Sequence, residues 1–159
     1  MIIKSEKILY GIIAIVLIFI IVVVVIFSGN KETICTNKSD QSKNGYVLET
    51  KYIIKSKGNT VKSVDVVEII TSKDQKLLEK FEKQLKRDYA YNKKTYGGYT
   101  YKITNNNDKV ISNVTIDYKK MDIKKFMENN EAIKKYIMNN KMTLVGIKKM
   151  YESTGATCK

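Results

Sequence analysis

The sequence of 159 residues contains no histidine, no tryptophan and no proline, and it contains only two cysteines. Without histidine the chain cannot form a Ser-His-Asp triad, a Cys-His pair or a histidine-based zinc site. Two cysteines alone cannot build a four-cysteine zinc site or hold an iron–sulfur cluster. We therefore predict no metal site, no cofactor and no enzymatic activity, and we expect a binding or structural protein.

Acidic residues are also scarce relative to basic ones. There are 29 lysine and arginine residues against 16 aspartate and glutamate residues, a formal net charge of +13. A basic surface attracts nucleic acid, anionic lipid or anionic polymer, and the compartment decides which of them it meets. The excess lies mainly in residues 73–94 and 119–159. We predict a surface for an anionic partner made of Lys124, Lys125, Lys134, Lys135, Lys148 and Lys149.

Residues 8–27 are an uninterrupted apolar run of 20 residues. A helix of that length spans roughly 30 Å, the thickness of the hydrocarbon core of a bilayer. The alternatives are a cleaved signal peptide and a lipoprotein signal. The run is too long for a cleaved signal peptide, and it ends in bulky residues where a cleavage site needs small ones. A lipoprotein signal is not supported either, because no small-residue box precedes Cys35. We expect an uncleaved single-pass anchor over residues 8–27.

The charges flanking this run favour one orientation. Before the run, the positive charges of Lys4, Lys7 and the α-amine outnumber the single negative charge of Glu6. After the run, the charges of Lys31 and Glu32 cancel. The positive-inside rule then places residues 1–7 in the cytoplasm and the rest of the chain outside the cell membrane.

The two cysteines bracket the remainder of the chain. Cys35 lies shortly after the apolar run and Cys158 is the penultimate residue. In an oxidising compartment such a pair is most simply a disulfide, and domain termini often lie close together. The alternatives are a reactive thiol or an intermolecular bridge, and no histidine is present to lower the pKa of a thiol.

The hydrophobic pattern changes after a polar stretch. Residues 28–44 contain nothing that could build a core, so they are predicted to be a linker. Residues 46–54 alternate as a strand does, and residues 61–70 form a second strand after a turn at 57–59. Ser72 is predicted to cap a helix of about 18 residues, with Gln75 completing a capping box.

A second block repeats this order. Residues 99–103 and 110–118 alternate around a turn at 105–108, which predicts a hairpin. Asp122 and Thr143 are predicted to cap two more helices, and Gly155 to follow the last one. The predicted class is α+β. A transmembrane helix precedes a two-layer domain over residues 45–159, with the order β-β-α-β-β-α-α and helices on one face of a four-stranded antiparallel sheet.

Two stretches carry a resemblance to a known family. Residues 113–126 (NVTIDYKKMDIKKF) resemble the second hairpin and helix start of the YehR-like family of bacterial envelope lipoproteins, and residues 142–155 (MTLVGIKKMYESTG) resemble its final helix. The resemblance implies a small α+β domain of unknown function in the cell envelope, with no catalytic residues to carry over. The lipoprotein box is absent here, which favours the transmembrane helix in its place.

Tyrosines crowd into residues 89–101 and could contact a sugar or a peptide. Tyr89, Tyr99 and Tyr101 fit the core stripes, so Tyr91 and Tyr96 are the predicted exposed pair.

We therefore expect a membrane-anchored, extracytoplasmic, non-enzymatic module of the bacterial cell envelope. Its expected partners are the membrane itself and an anionic wall polymer, lipid headgroups or an envelope protein. One alternative is a cell-wall-directed enzyme using carboxylate, tyrosine or lysine chemistry. The other is a nucleic-acid binder, which requires the reverse topology.

Overall fold

Alternating inward and outward side chains along five long segments produce the sheet on which the fold is built. The computed structural model describes residues 29–159. The strands are β1 (Asn30–Gln41), β2 (Tyr46–Lys57), β3 (Thr60–Thr71), β4 (Tyr99–Asn106), β5 (Lys109–Asp117), β6 (Ile137–Met138), β7 (Lys141–Met142) and β8 (Thr157–Cys158). The helices are α1 (Gln75–Tyr96), α2 (Ile123–Asn129), α3 (Glu131–Lys134) and α4 (Leu144–Glu152), with a 3₁₀ turn at Ser42–Asn44.

The main sheet has six strands in the order β4-β5-β3-β2-β1-β8, and β6 and β7 form a separate two-stranded ribbon. The pairs β2/β3, β3/β5 and β4/β5 are antiparallel. The predicted class, with a four-stranded sheet and the order β-β-α-β-β-α-α, is therefore wrong. Residues 29–159 contain eight strands, so this part of the chain is richer in β-structure than its hydrophobic pattern indicates.

The segment predicted to be a linker contains the first missed strand, β1. Its inward positions include Thr33, Asn37 and Ser39, which are polar, so the sequence carries no apolar alternation there. The ion pair between Lys38 and Glu49 joins β1 to β2, its neighbour in the sheet. Pairing with a strong strand, rather than the burial of its own apolar side chains, thus orders this segment.

The predicted disulfide is confirmed. Cys35 of β1 and Cys158 of β8 face each other in the antiparallel register and are joined through their sulfur atoms. Ile34 and Lys159 exchange two backbone hydrogen bonds of 3.1 and 2.9 Å beside them. The bond closes the two ends of the domain at one edge of the sheet and holds β8, a strand of only two residues, in place.

The C-terminal region departs from the predicted pair of helices. Asp122 caps α2 as expected, because its carboxylate accepts a hydrogen bond from the Lys125 backbone N–H at 3.0 Å. The helical pattern beyond it breaks into α3 and the β6–β7 ribbon. Asn139 and Asn140 form the ribbon's turn at positive φ, a conformation that asparagine tolerates better than most residues.

The start of α1 also differs from the prediction. Ser72 is not its cap: the Ser72 hydroxyl donates to the Gly45 carbonyl at 2.6 Å and accepts from the Asp74 N–H. Asp74 is the cap, since its carboxylate accepts from the Leu77 N–H at 3.1 Å. Thr143 caps α4 as predicted by accepting from the Gly146 N–H at 3.0 Å.

The helices cover one face of the sheet. The larger cluster packs Ile54, Val64 and Val114 of the strands with Ile147 and Tyr151 of α4. A smaller cluster joins Ile70, Leu78 and Val110 under α1. Each large aliphatic side chain buried in this way contributes about 1.5–3 kcal/mol, so the inward alternation of the strands dictates where the helices sit.

No helix within residues 29–159 is long and apolar enough to cross a membrane. The predicted transmembrane segment, residues 8–27, and the flank before it lie outside the described residues.

Candidate functional site

Several segments that connect strands and helices meet at one end of the sheet. The turn between β2 and β3 lies against the start of α4, because the Asn59 carbonyl accepts from the Leu144 N–H at 2.8 Å. Thr60 bridges to Thr143, and the Lys62 carbonyl accepts from the Tyr118 N–H at 3.0 Å. The end of β5, the start of α2 and the β6–β7 ribbon are thereby held around the same place.

A cleft of about 410 Å³ opens between these elements. Its lining includes one lysine from each of four segments, namely Lys62, Lys119, Lys124 and Lys141. Beneath them lie side chains that are more than nine-tenths buried: Val61, Tyr118, Met121, Ile123 and Met142. The arrangement is an apolar floor with a cationic rim.

The charge of this rim is not neutralised within the described part of the chain. None of the six ion pairs found among residues 29–159 involves a cleft lysine. Asp122 is the acidic residue in the lining, and its carboxylate is held by the start of α2. The cleft therefore suits an anionic group.

Two exposed apolar side chains stand beside the cleft. Met138 is 63% exposed and belongs to β6, where it pairs with Lys141 of the cleft. Val145 is 56% exposed in the first turn of α4, and its N–H donates to the Asn59 side chain at 3.2 Å. Two exposed aliphatic side chains thus lie at the same end of the sheet as the cleft lysines.

The six lysines predicted from the sequence lie on or beside three different helices. Lys124 lines the cleft and Lys125 follows it at the exposed start of α2. Lys134 pairs with Glu131 at 2.8 Å, and Lys135 lies over the Tyr136 ring at 5.0 Å. Lys148 and Lys149 lie on α4, the first half-buried and the second exposed.

Sequence reasoning missed Lys62, Lys119 and Lys141. The signal that could have found the first two is the strand register, since Ser63 pairs with Asp117 and the residues next to them meet at the same end. Lys141 carried no such signal because the β6–β7 ribbon to which it belongs was not predicted.

Of the two tyrosines predicted to be exposed, one is exposed and the other is buried. Tyr91 is 57% exposed, whereas Tyr96 is 6% exposed, so the expectation for Tyr96 is wrong. Tyr96 ends α1 where α2 packs on it: its ring meets Phe126 edge-on at 5.1 Å, and its hydroxyl accepts from Asn130 at 3.3 Å. A continuous aromatic platform is therefore not formed there.

A partly buried polar cluster lies between the sheet and α1. The Glu68 carboxylate accepts hydrogen bonds from the Tyr89 hydroxyl and, at 2.6 Å, from the Ser112 hydroxyl. Burial, reinforced by the charge of Glu68, raises the pKa of Tyr89 far above its usual value. Tyr89 is therefore a fixed donor at neutral pH and cannot serve as a base, and the cluster acts as an internal brace for α1.

Other tyrosines in the core are held protonated in the same way. Burial raises the pKa of Tyr99 to about 12. Deeper burial also raises the pKa values of Tyr118 and Tyr151 well above the usual tyrosine value. Within residues 29–159 no group of three or more histidine, cysteine or acidic side chains is placed to hold a metal ion.

Comparison with known proteins supports the fold and leaves the activity open. Residues 100–159 match a domain of unknown function, DUF8824. The fold is similar to the NMR structure of the Escherichia coli YehR protein, with 20% identity and a TM-score of 0.54 over 82% of this chain and 92% of that one. The fold is thus YehR-like.

The NMR structure of a protein from Streptococcus pneumoniae TIGR4 aligns with 17% identity and a TM-score of 0.47, over 80% of this chain and 83% of that one. No curated protein sequence matches the chain.

Proposed function

We propose that this chain is a membrane-anchored extracytoplasmic module of the bacterial cell envelope that binds an anionic partner and performs no catalysis. The observation that carries this proposal is the Cys35–Cys158 disulfide. Disulfides persist in oxidising compartments outside the cytoplasm and are rare inside it. A domain closed by such a bond and preceded by a 20-residue apolar run fits an anchor followed by an exported body.

Two further observations support the binding role. The cleft with four lysines is a ready receptor for a phosphate or carboxylate group. The resemblance to the YehR-like family of envelope lipoproteins adds an envelope setting, in which the apolar segment would take the place of the lipid. The alternatives, a cell-wall-directed enzyme and a nucleic-acid binder, have no specific observation in their favour and stay predictions.

The topology can be tested with the full chain in intact bacterial cells. A membrane-impermeant amine reagent should label lysines of residues 31–159, while a cytoplasmic marker protein stays unlabelled. Alkylation under denaturing conditions should leave Cys35 and Cys158 unmodified until a reductant is added. A domain that is labelled only after lysis and carries two free thiols would contradict the proposal.

A further inference from the structure

The first strand begins at the end of the sheet that carries the lysine cleft. Lys38 pairs with Glu49, and the charge of Glu32 acts on Lys55, so β1 and β2 run in opposite directions. The start of β1, from Lys31 onwards, therefore lies beside the end of β2 and the β2–β3 turn. The cleft, on the far side of β2, is about two strand spacings away, roughly 10 Å.

Few residues separate the apolar segment from this strand. Ser28 and Gly29 alone separate Phe27, the last residue of the apolar segment, from Asn30. Three residue steps span at most about 11 Å. If residues 8–27 cross a bilayer, as the proposed function holds, then the end of the domain with the cleft must stay close to the lipid headgroups.

We infer that the lysine cleft seats the phosphate groups of anionic lipids, so that the domain lies with this end on its own membrane. This inference rests on the proposed anchor and names the partner of the proposed binding site. Charge complementarity supports it, because Lys62, Lys119, Lys124 and Lys141 are free of ion pairs among the described residues. Met138 and Val145 are placed beside them to enter the headgroup layer.

The expected strength follows from the number of lysines. A lysine near an anionic surface contributes about a fivefold change in the docking equilibrium, and the effect fades within a Debye length of about 8 Å at physiological ionic strength. Four lysines within one cleft should therefore give docking that depends strongly on anionic lipid and is released by high salt.

The test uses the full chain reconstituted in nanodiscs of phosphatidylcholine alone or of equal parts phosphatidylcholine and phosphatidylglycerol. Hydrogen–deuterium exchange is measured for the amides of residues 119–125 and 137–146. We expect these amides to exchange several-fold more slowly in the discs with phosphatidylglycerol, and high salt to remove the difference. Equal exchange in both discs would overturn the inference.

Matched variants separate the cleft from general charge. The cleft variant carries Lys62→Gln, Lys119→Gln, Lys124→Gln and Lys141→Gln. The control loses the same charge at the opposite end of the domain through Lys43→Gln, Lys73→Gln, Lys76→Gln and Lys80→Gln. Protection should disappear in the first and persist in the second. If the first fails to fold, the variant that keeps Lys62 replaces it, and persistent protection in either would overturn the inference.

Two further outcomes distinguish the partner and the anchor. Protection by soluble polyglycerol phosphate, with none from phosphatidylglycerol, would replace the lipid by a wall polymer. Flotation of the full chain with vesicles of both lipid compositions is the readout for the anchor. A chain that floats with both but gains no protection refutes the cleft inference alone, whereas a chain that floats with neither refutes both proposals.

Discussion

Removing the disulfide should cost more stability than any single packing contact in this domain. Cys35 and Cys158 close a loop with a sequence separation of 123 residues. The chain-entropy model assigns such a loop about 5 kcal/mol of stabilisation, because the cross-link restricts the unfolded chain. With an unfolding entropy of about 2.1 cal/mol/K per residue, this corresponds to a fall in Tm of roughly 18 °C for residues 31–159.

The assay is urea unfolding of the full chain in detergent, followed by far-UV circular dichroism because tryptophan is absent. Reduced wild-type protein isolates the cross-link, since both thiols remain in place. The unfolded reduced chain should also expose more surface, so the slope of the free energy of unfolding against urea should rise.

Single variants distinguish the cross-link from packing. Cys35 is fully buried and Cys158 is half-buried, so a packing effect would make Cys35→Ala the more damaging change. A cross-link effect predicts that Cys35→Ala and Cys158→Ala destabilise the protein to within about 1 kcal/mol of each other. A reduced protein within about 1 kcal/mol of the oxidised one would refute the reasoning.

Three other perturbations follow from the core. Glu68→Gln weakens two hydrogen bonds to a charged acceptor and should lower the free energy of unfolding by about 1–3 kcal/mol in urea titrations. An unchanged urea midpoint would contradict the conclusion that this cluster braces α1 against the sheet. Gly146→Ala brings a Cβ to 2.5 Å from the Tyr136 carbonyl and should cost about 1–3 kcal/mol, while Val145→Ala, at an exposed neighbour, should change stability by less than about 0.5 kcal/mol. The pKa of Tyr99 is raised from an unfolded value of about 10 to about 12, so its contribution to stability is complete below pH 10 and is lost as the pH rises towards 12. The tyrosinate absorbance of the wild-type protein in excess of a Tyr99→Phe variant should then increase together with unfolding, and its increase in the folded protein near pH 10 would contradict this.

The features that sequence reasoning found are those with local signals. Two hairpins followed from alternation and turn residues, and the caps Asp122 and Thr143 followed from side chains that accept backbone N–H groups. The disulfide followed from the position of the two cysteines. The hairpins and caps depend on residues that are close in sequence, and the disulfide depends on the only two cysteines of the chain.

The features that were missed depend on tertiary context. The inward face of β1 is polar apart from Cys35, so its order comes from its neighbour β2 and from the disulfide. The cleft gathers Lys62, Lys119, Lys124 and Lys141 from separate elements, and only the register of the strands and the break before β6 bring them together. Counting lysines along helices could not reveal this, because the relevant cluster is not on one helix.

The strand β1 (Asn30–Gln41), which lies inside the predicted linker, bears directly on the proposed membrane docking. A flexible linker of 17 residues has a root-mean-square reach of roughly 23 Å, which would leave the cleft free to face any direction. Because β1 begins at Asn30, three residue steps of at most about 11 Å separate it from Phe27, so the proposed anchor over residues 8–27 would hold the domain on a short tether. The polar composition that hid this strand therefore also hid the short tether on which the proposed docking of the lysine cleft depends.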